Sequence, residues 1–325
     1  MTREITYAEA IREGLHQAME LSADVVLMGQ LVDYKSGVFG TTTGLVEKFG
    51  TDRVQDFPVS EAAMTSVGMG AALAGLRPVV VHQRLDFMMY SLDCLVNWMS
   101  LWHFKSNGKS RVPMTIRAIV GKGWGQGPQH SKSLHSWFGH LPGLKVAIPS
   151  TAFDAKGLLL ESIFGEDPCI IIENRSLFSM QNSVPQVPYR VRFGEAAIRT
   201  SGNDITLACL GYMVPLAMKT ARELAQDDIG VEVIDLRTVS PWDKKTVFES
   251  VEKTGRLAVA DPAWSSISFA SEVIAAVSEK LGSKMKSNPV RICYPDSHTP
   301  MSQSLENVYY PTVESLKKQV RETLR

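Results

Sequence analysis

The chain has 325 residues, 34 of them Lys or Arg and 34 Asp or Glu, a length that suits two domains better than one core. The cancelled charge removes any global electrostatic case for nucleic acid or an anionic membrane as partner. No apolar run reaches the roughly 18 residues a membrane span needs, and Met1-Thr2-Arg3-Glu4 lacks the apolar stretch of a signal peptide, so a cytoplasmic protein is expected.

In chain order, Pro58-Val59-Ser60-Glu61 runs into the small-residue segment Ser66-Val67-Gly68-Met69-Gly70-Ala71-Ala72-Leu73-Ala74-Gly75. The period predicts a helix starting near Glu61, with small residues that let a second backbone approach closely. A carboxylate at such a helix mouth, partly desolvated, can hold a proton near neutrality. The simpler reading is a first-turn Glu meeting the helix dipole with Ser60 as N-cap. Apolar runs then recur with helical intervals: Pro78–Val81, Met114–Val120, Val146–Ile148 and Ile170–Ile172, and later Ile205–Leu210, Val231–Ile234, Leu257–Ala260 and Val290–Cys293. Near-continuous apolar strands alternating with helices predict parallel sheets covered on both faces. The fold class expected is therefore α/β, in two domains, each a mostly parallel sheet flanked by helices. Asn182-Ser183-Val184-Pro185-Gln186-Val187-Pro188 has two prolines and no helical period, which predicts a linker over residues 182–190 between domains at 1–181 and 191–325.

The loop Gly121-Lys122-Gly123-Trp124-Gly125-Gln126-Gly127-Pro128 can bring backbone close to a ligand, and His130 follows it. A histidine there suits proton transfer or anchoring of a substrate carboxylate, although it can also simply pack the loop. The loop lacks the Gly-Lys-Ser/Thr ending of a phosphate cradle. His135 and His140 are expected to pack or cap the next helix. Cys94, Cys169, Cys209 and Cys293 lie far apart with no Cys-x-x-Cys pair, which favours reduced core residues over metal ligands or bridges.

These features sit in a specific context. Glu61, Ser66-Val67 and Gly70-Ala71, then Gly75-Leu76-Arg77-Pro78-Val79-Val80, Asp86-Phe87-Met88-Met89, Gln129-His130-Ser131-Lys132-Ser133, Pro142–Val146, Asp154–Leu158, Asp235–Asp243 and Thr299-Pro300-Met301 follow one family's order and spacing. The chain resembles the beta subunit of the thiamine-diphosphate-dependent first component of 2-oxo acid dehydrogenase complexes, of the pyruvate and branched-chain type. The resemblance implies a transketolase-like pyrimidine-binding domain followed by a transketolase C-terminal domain. It implies that Glu61 hydrogen-bonds the cofactor's aminopyrimidine and favours its imino tautomer, that Phe87 stacks on that ring, and that Gln83 lines the same pocket. His130 falls at the family's histidine for the oxo acid and the acyl transfer that follows.

The family's Gly-Asp-Gly with a downstream Asn, which grips magnesium and the diphosphate, is missing from this chain. The resemblance therefore implies an alpha subunit that supplies the Mg2+ ligands, in an alpha2-beta2 heterotetramer, with a lipoyl acyltransferase as a further partner and a 2-oxo acid as substrate. The sequence also departs from the family. Gln30-Leu31 replace an acidic pair, Val81-His82 precede Gln83 and Arg84 where an acidic-Phe step is common, and a K+ loop of the Asp-x-Asn-Pro kind reads Gly165-Glu166-Asp167-Pro168, leaving Asp167 as the candidate cation ligand. Two rival readings are a split transketolase or carboligase in a biosynthetic pathway, to which Gln30 and Arg84 lend some weight, and a non-catalytic interaction subunit.

Overall fold

The computed structural model describes residues 1–123 and 125–325; Trp124 of the glycine-rich loop lies outside the described residues. The amino-terminal half carries strands β1 (Thr2–Thr6), β2 (Val25–Gly29), β3 (Val54–Asp56), β4 (Arg77–His82), β5 (Thr115–Val120), β6 (Lys145–Ala147), β7 (Cys169–Asn174) and β8 (Gln181–Pro185). The remainder carries β9 (Ala197–Thr200), β10 (Ile205–Cys209), β11 (Val231–Asp235), β12 (Thr238–Ser240), β13 (Leu257–Trp264) and β14 (Val290–Tyr294). Both halves are α/β, as the apolar runs require.

A seven-stranded sheet runs in the order β12-β6-β7-β5-β4-β2-β3, parallel except at β12. A five-stranded sheet runs β14-β13-β10-β11-β9, parallel except at β9. Successive residues of β4 point to opposite faces: Val79 and Val81 enter one core, Val80 the other. Each core continues into the second sheet, through Leu207 and Val233 on one side and Ala208 and Ile234 on the other. The halves are further locked by β12, a carboxyl-terminal strand on the edge of the amino-terminal sheet. Arg199 adds to the lock by pairing with Asp154 and, at 2.7 Å, with Asp235. His135, expected to pack or cap, lies buried at the first position of helix His135–Gly139 and bonds Asp261 across the junction, Nε2 to Oδ1 at 2.7 Å. His140 is exposed just after that helix.

The stretch read as a linker begins as a strand. β8 pairs antiparallel with β1, Val184 opposite Arg3, and Val184 is fully buried. Its prolines do not break that ladder, because Pro185 is the last residue of an outer strand. Residues 186–190 lack regular structure, yet the buried Lys156 pins the segment by donating to the carbonyls of Pro185 at 2.8 Å and Val187 at 3.2 Å. All four cysteines are free, three of them buried, in agreement with their core assignment.

Candidate active site

Parallel strands collect ligand-binding loops at their carboxyl ends, and most of the candidate residues lie along that edge. β2 ends at Gly29 and leads to Gln30; β4 ends at His82 and leads to Gln83 and Arg84; β5 ends at Val120 and opens the glycine-rich loop; β7 ends at Asn174 and leads to Arg175.

Glu61 is the first residue of helix Glu61–Leu73 and is half-buried. Ser60 precedes it but its side chain makes no capping bond, so the N-cap reading fails at the level of the hydroxyl. The small residues serve two faces. Gly68 packs so closely on the sheet that a Cβ there would lie 2.7 Å from Val80 and 2.9 Å from Met114. Gly70 has nothing within 4 Å, and Ala62, Ala63, Ser66 and Val67 are exposed beside it.

A buried chain of hydrogen bonds that the sequence did not reveal holds the main chain of Glu61. The Ser91 hydroxyl donates to the Glu61 carbonyl at 2.9 Å, and with its one proton spent it accepts from Thr65 Oγ1 at 2.8 Å. Thr65 in turn accepts from Nε2 of His82 at 3.0 Å, which sets the imidazole tautomer. His82 is almost wholly buried and its Nδ1 has no partner. Burial lowers its pKa from 6.5 to about 3, so it stays neutral. The only hint in the sequence is a histidine closing the apolar run Val79-Val80-Val81.

Ser91 belongs to the turn that follows Phe87, and so ties Glu61 to the aromatic candidate. Phe87 is 38% exposed, and its ring meets His130 edge to face, centroids 5.5 Å apart at 77°. His130 Nδ1 lies 3.1 Å from the Gln126 carbonyl, which can only accept; the proton is on Nδ1, and a neutral ring therefore keeps a lone pair on Nε2. The glycines permit this approach. A Cβ on Gly121 would sit 2.6 Å from the His130 carbonyl, and Gly123, Gly125 and Gly127 all have positive φ. Met301, from the carboxyl-terminal half, packs on Gly125 and Gly127. Gln83 is half-buried and donates from Nε2 to the Gln30 carbonyl at 3.1 Å, so its amide nitrogen is engaged with main chain at the rim.

Asp167 is at the other end of the sheet. It precedes β7, and its two carboxylate oxygens meet Arg111 Nη1 at 2.6 Å and Lys145 Nζ at 2.9 Å. Burial pushes its pKa up, but these two cations outweigh that and hold it below the ordinary carboxylate range. Asp167, expected as a monovalent-cation ligand, thus already has both carboxylate oxygens on side-chain cations, which leaves it little attraction for a third. Among the described residues no group of three or more His, Cys, Asp or Glu is arranged to hold a metal. A cleft of about 710 Å³ at the domain junction, lined by His140, Trp242 and Phe269, contains none of the candidate residues.

Residues 3–181 match the family model for the transketolase pyrimidine-binding domain, and residues 194–316 that for the transketolase C-terminal domain. Over the full chain and 99% of the relative, 37% of residues are identical to the beta subunit of acetoin:2,6-dichlorophenolindophenol oxidoreductase from Cupriavidus necator. The identity is also 37% to the beta subunit of the pyruvate dehydrogenase E1 component from Staphylococcus aureus, covering 99% of each chain. The chain belongs to this family of E1-type beta subunits. Its fold matches a solved split-gene transketolase described as an inactive beta4 tetramer, with a TM-score of 0.79, 20% identity and 98% of each chain covered. The family places the chain among components of thiamine-diphosphate-dependent enzymes. No helix among its described residues is long and apolar enough to cross a membrane.

Proposed function

We propose that this chain is the beta subunit of a cytoplasmic thiamine-diphosphate-dependent 2-oxo acid dehydrogenase, with its active site completed by an alpha subunit in an alpha2-beta2 assembly. The observation that carries this is the joining of three separate segments at one sheet edge: Glu61 at its helix start, Phe87 on the turn bonded to it through Ser91, and His130 against the Phe87 ring. That set fits the pyrimidine end of thiamine diphosphate. It offers one half-buried carboxylate for a ring nitrogen and one exposed aromatic face for stacking, worth on the order of 1 kcal/mol. When bound, the cofactor supplies the electron sink for decarboxylation.

The chain's own residues then have distinct tasks. Glu61 holds a proton at the pyrimidine nitrogen, and the Ser91 bond to its carbonyl fixes where the carboxylate stands. His130 offers Nε2 to the substrate, either as a base or, once protonated, as a donor to its carboxylate. The exposed face of the Glu61 helix, with Ala62, Ala63, Ser66, Val67 and Gly70, is the surface suited to close packing by another subunit. Mg2+ and the diphosphate would be held by the alpha subunit, and a lipoyl acyltransferase would take the acyl group.

The test is to co-express the chain with a candidate alpha subunit and to follow reduction of 2,6-dichlorophenolindophenol with a panel of 2-oxo acids. Glu61→Gln should lower turnover by at least the roughly 10²-fold expected of a positioned acid-base group and slow hydrogen–deuterium exchange at C2 of the bound cofactor. Exchange at the wild-type rate in the variant would make Glu61 structural and refute the reading.

A further inference from the structure

The glycine-rich loop closes at a narrow neck, where the Gly121 N–H donates to the His130 carbonyl at 2.8 Å. Lys122 is the first residue beyond that neck. It is half-buried, and among the described residues its ammonium makes no hydrogen bond or ion pair. Instead Nζ lies 4.6 Å from the centre of the Tyr212 ring and 4.9 Å from that of Tyr310. Burial lowers the Lys122 pKa, and the charge of Glu306 opposes that. Glu306 is itself buried, neither of its oxygens has a hydrogen-bond partner among the described residues, and it lines one cavity of about 290 Å³ together with Lys122.

The two rings belong to the carboxyl-terminal half and are fixed there. Tyr212 follows β10, and its N–H donates to Asn174 Oδ1, at the end of β7, at 3.2 Å. Tyr310 meets Tyr212 and Tyr294 edge to face, with centroids 6.4 Å and 5.3 Å apart. Tyr310 also reaches both sides of the neck: its ring lies against Lys122, and its hydroxyl faces Ser131, the residue after His130. An ammonium on an aromatic face is held more firmly the less water reaches it, and a buried carboxylate is costly without a cation nearby. Lys122 meets both conditions with one group. The loop's glycines have no side chains with which to hold it. Among the described loop residues, the other side-chain bond that leaves the loop is at Gln126, whose Oε1 accepts from Arg84 at 3.0 Å.

We infer that Lys122 is a positioning residue for His130: seated on Tyr212 and Tyr310 and facing Glu306, it fastens the neck of the loop to the carboxyl-terminal domain and so sets where the imidazole stands. The inference rests on the proposed function for the task of His130. An apolar chain of similar length would still cover the rings but would leave Glu306 without its cation and the neck without its charge-dependent hold.

The test uses the assembled alpha–beta complex, wild type, K122M and K122R. In K122M the Gly121 amide, followed by hydrogen exchange with residue-level mass spectrometry, should exchange about tenfold faster, the order of a lost cation–aromatic contact. Single-turnover consumption of the oxo acid at saturating substrate should slow by about tenfold or more, as a displaced acid-base group implies, while C2 exchange of the bound cofactor keeps its wild-type rate. K122R keeps the cation and should recover most of both losses. On the His130→Ala background K122M should add no further loss, because it acts through the imidazole. Unchanged Gly121 exchange or an unchanged single-turnover rate in K122M would overturn the inference. So would a loss repeated in full on the His130→Ala background, an equal fall in C2 exchange, or dissociation of the K122M complex on gel filtration, each of which would make the lysine a structural residue. Amide exchange is read without turnover, so a wild-type complex that lacks C2 exchange would count against the proposed function, while the Gly121 rates would still decide whether Lys122 fastens the neck.

Discussion

His82 gives a prediction whose size follows from its surroundings. It is buried with Nδ1 unpartnered, and its pKa falls from 6.5 to about 3. A base with a depressed folded pKa contributes its full stabilisation above the unfolded value of 6.5 and loses it progressively as the pH falls towards 3, because the unfolded chain takes up the proton and the folded one does not. At pH 5 the unfolded histidine is about 1.5 pH units below its pKa, and at 1.36 kcal/mol per unit this comes to about 2 kcal/mol. Urea unfolding of wild type and His82→Leu at pH 8 and pH 5 isolates the effect. Carboxylates titrate alike in both proteins, so the wild type should lose about 2 kcal/mol more than the variant. An equal loss in the two would mean that His82 is protonated in the folded state and that burial does not keep it neutral.

His130→Ala should spare C2 exchange of the bound cofactor and slow oxo acid consumption or acyl transfer by roughly 10²- to 10⁴-fold; single-turnover rates unchanged in both steps would return His130 to packing the loop. Gly143→Ala places a Cβ 1.9 Å from the Ser100 carbonyl at a residue with φ of +89°, and should cost about 2 kcal/mol or more of stability, measured as a shift in urea midpoint; a shift below a few tenths would contradict the tight approach. Asp167→Asn should cost less than about 1 kcal/mol at pH 7. Because Asp167 has a lowered pKa, that cost should fade as the pH drops through its folded value. It should be the same in KCl and in tetramethylammonium chloride; a loss specific to potassium would restore the cation role.

What could be read from the sequence was what burial dictates locally. Val79-Val80-Val81 and Ile170-Ile171-Ile172 are apolar on both faces because β4 and β7 are inner strands of a sheet with a core on each side. β2 is an inner, buried strand whose apolar run Val25–Met28 was passed over; the other strands that gave no signal are short or lie at edges: β3 has three residues, β9 closes the second sheet, and β12 pairs outside its own half. There, ladder partners far along the chain supply what side-chain pattern does not.

The site divides in the same way. Glu61, Phe87 and His130 were legible because each lies in a local motif, and the fold had only to bring the three segments together. Thr65, His82 and Ser91 were not, since a threonine, a histidine and a serine have no meaning until a helix, a strand end and a turn set them 2.8 to 3.0 Å apart. Glu166-Asp167-Pro168 resembles a cation loop, while Arg111 and Lys145, which pair with the Asp167 oxygens, come from other segments. Charge neutralisation is a property of the folded neighbourhood.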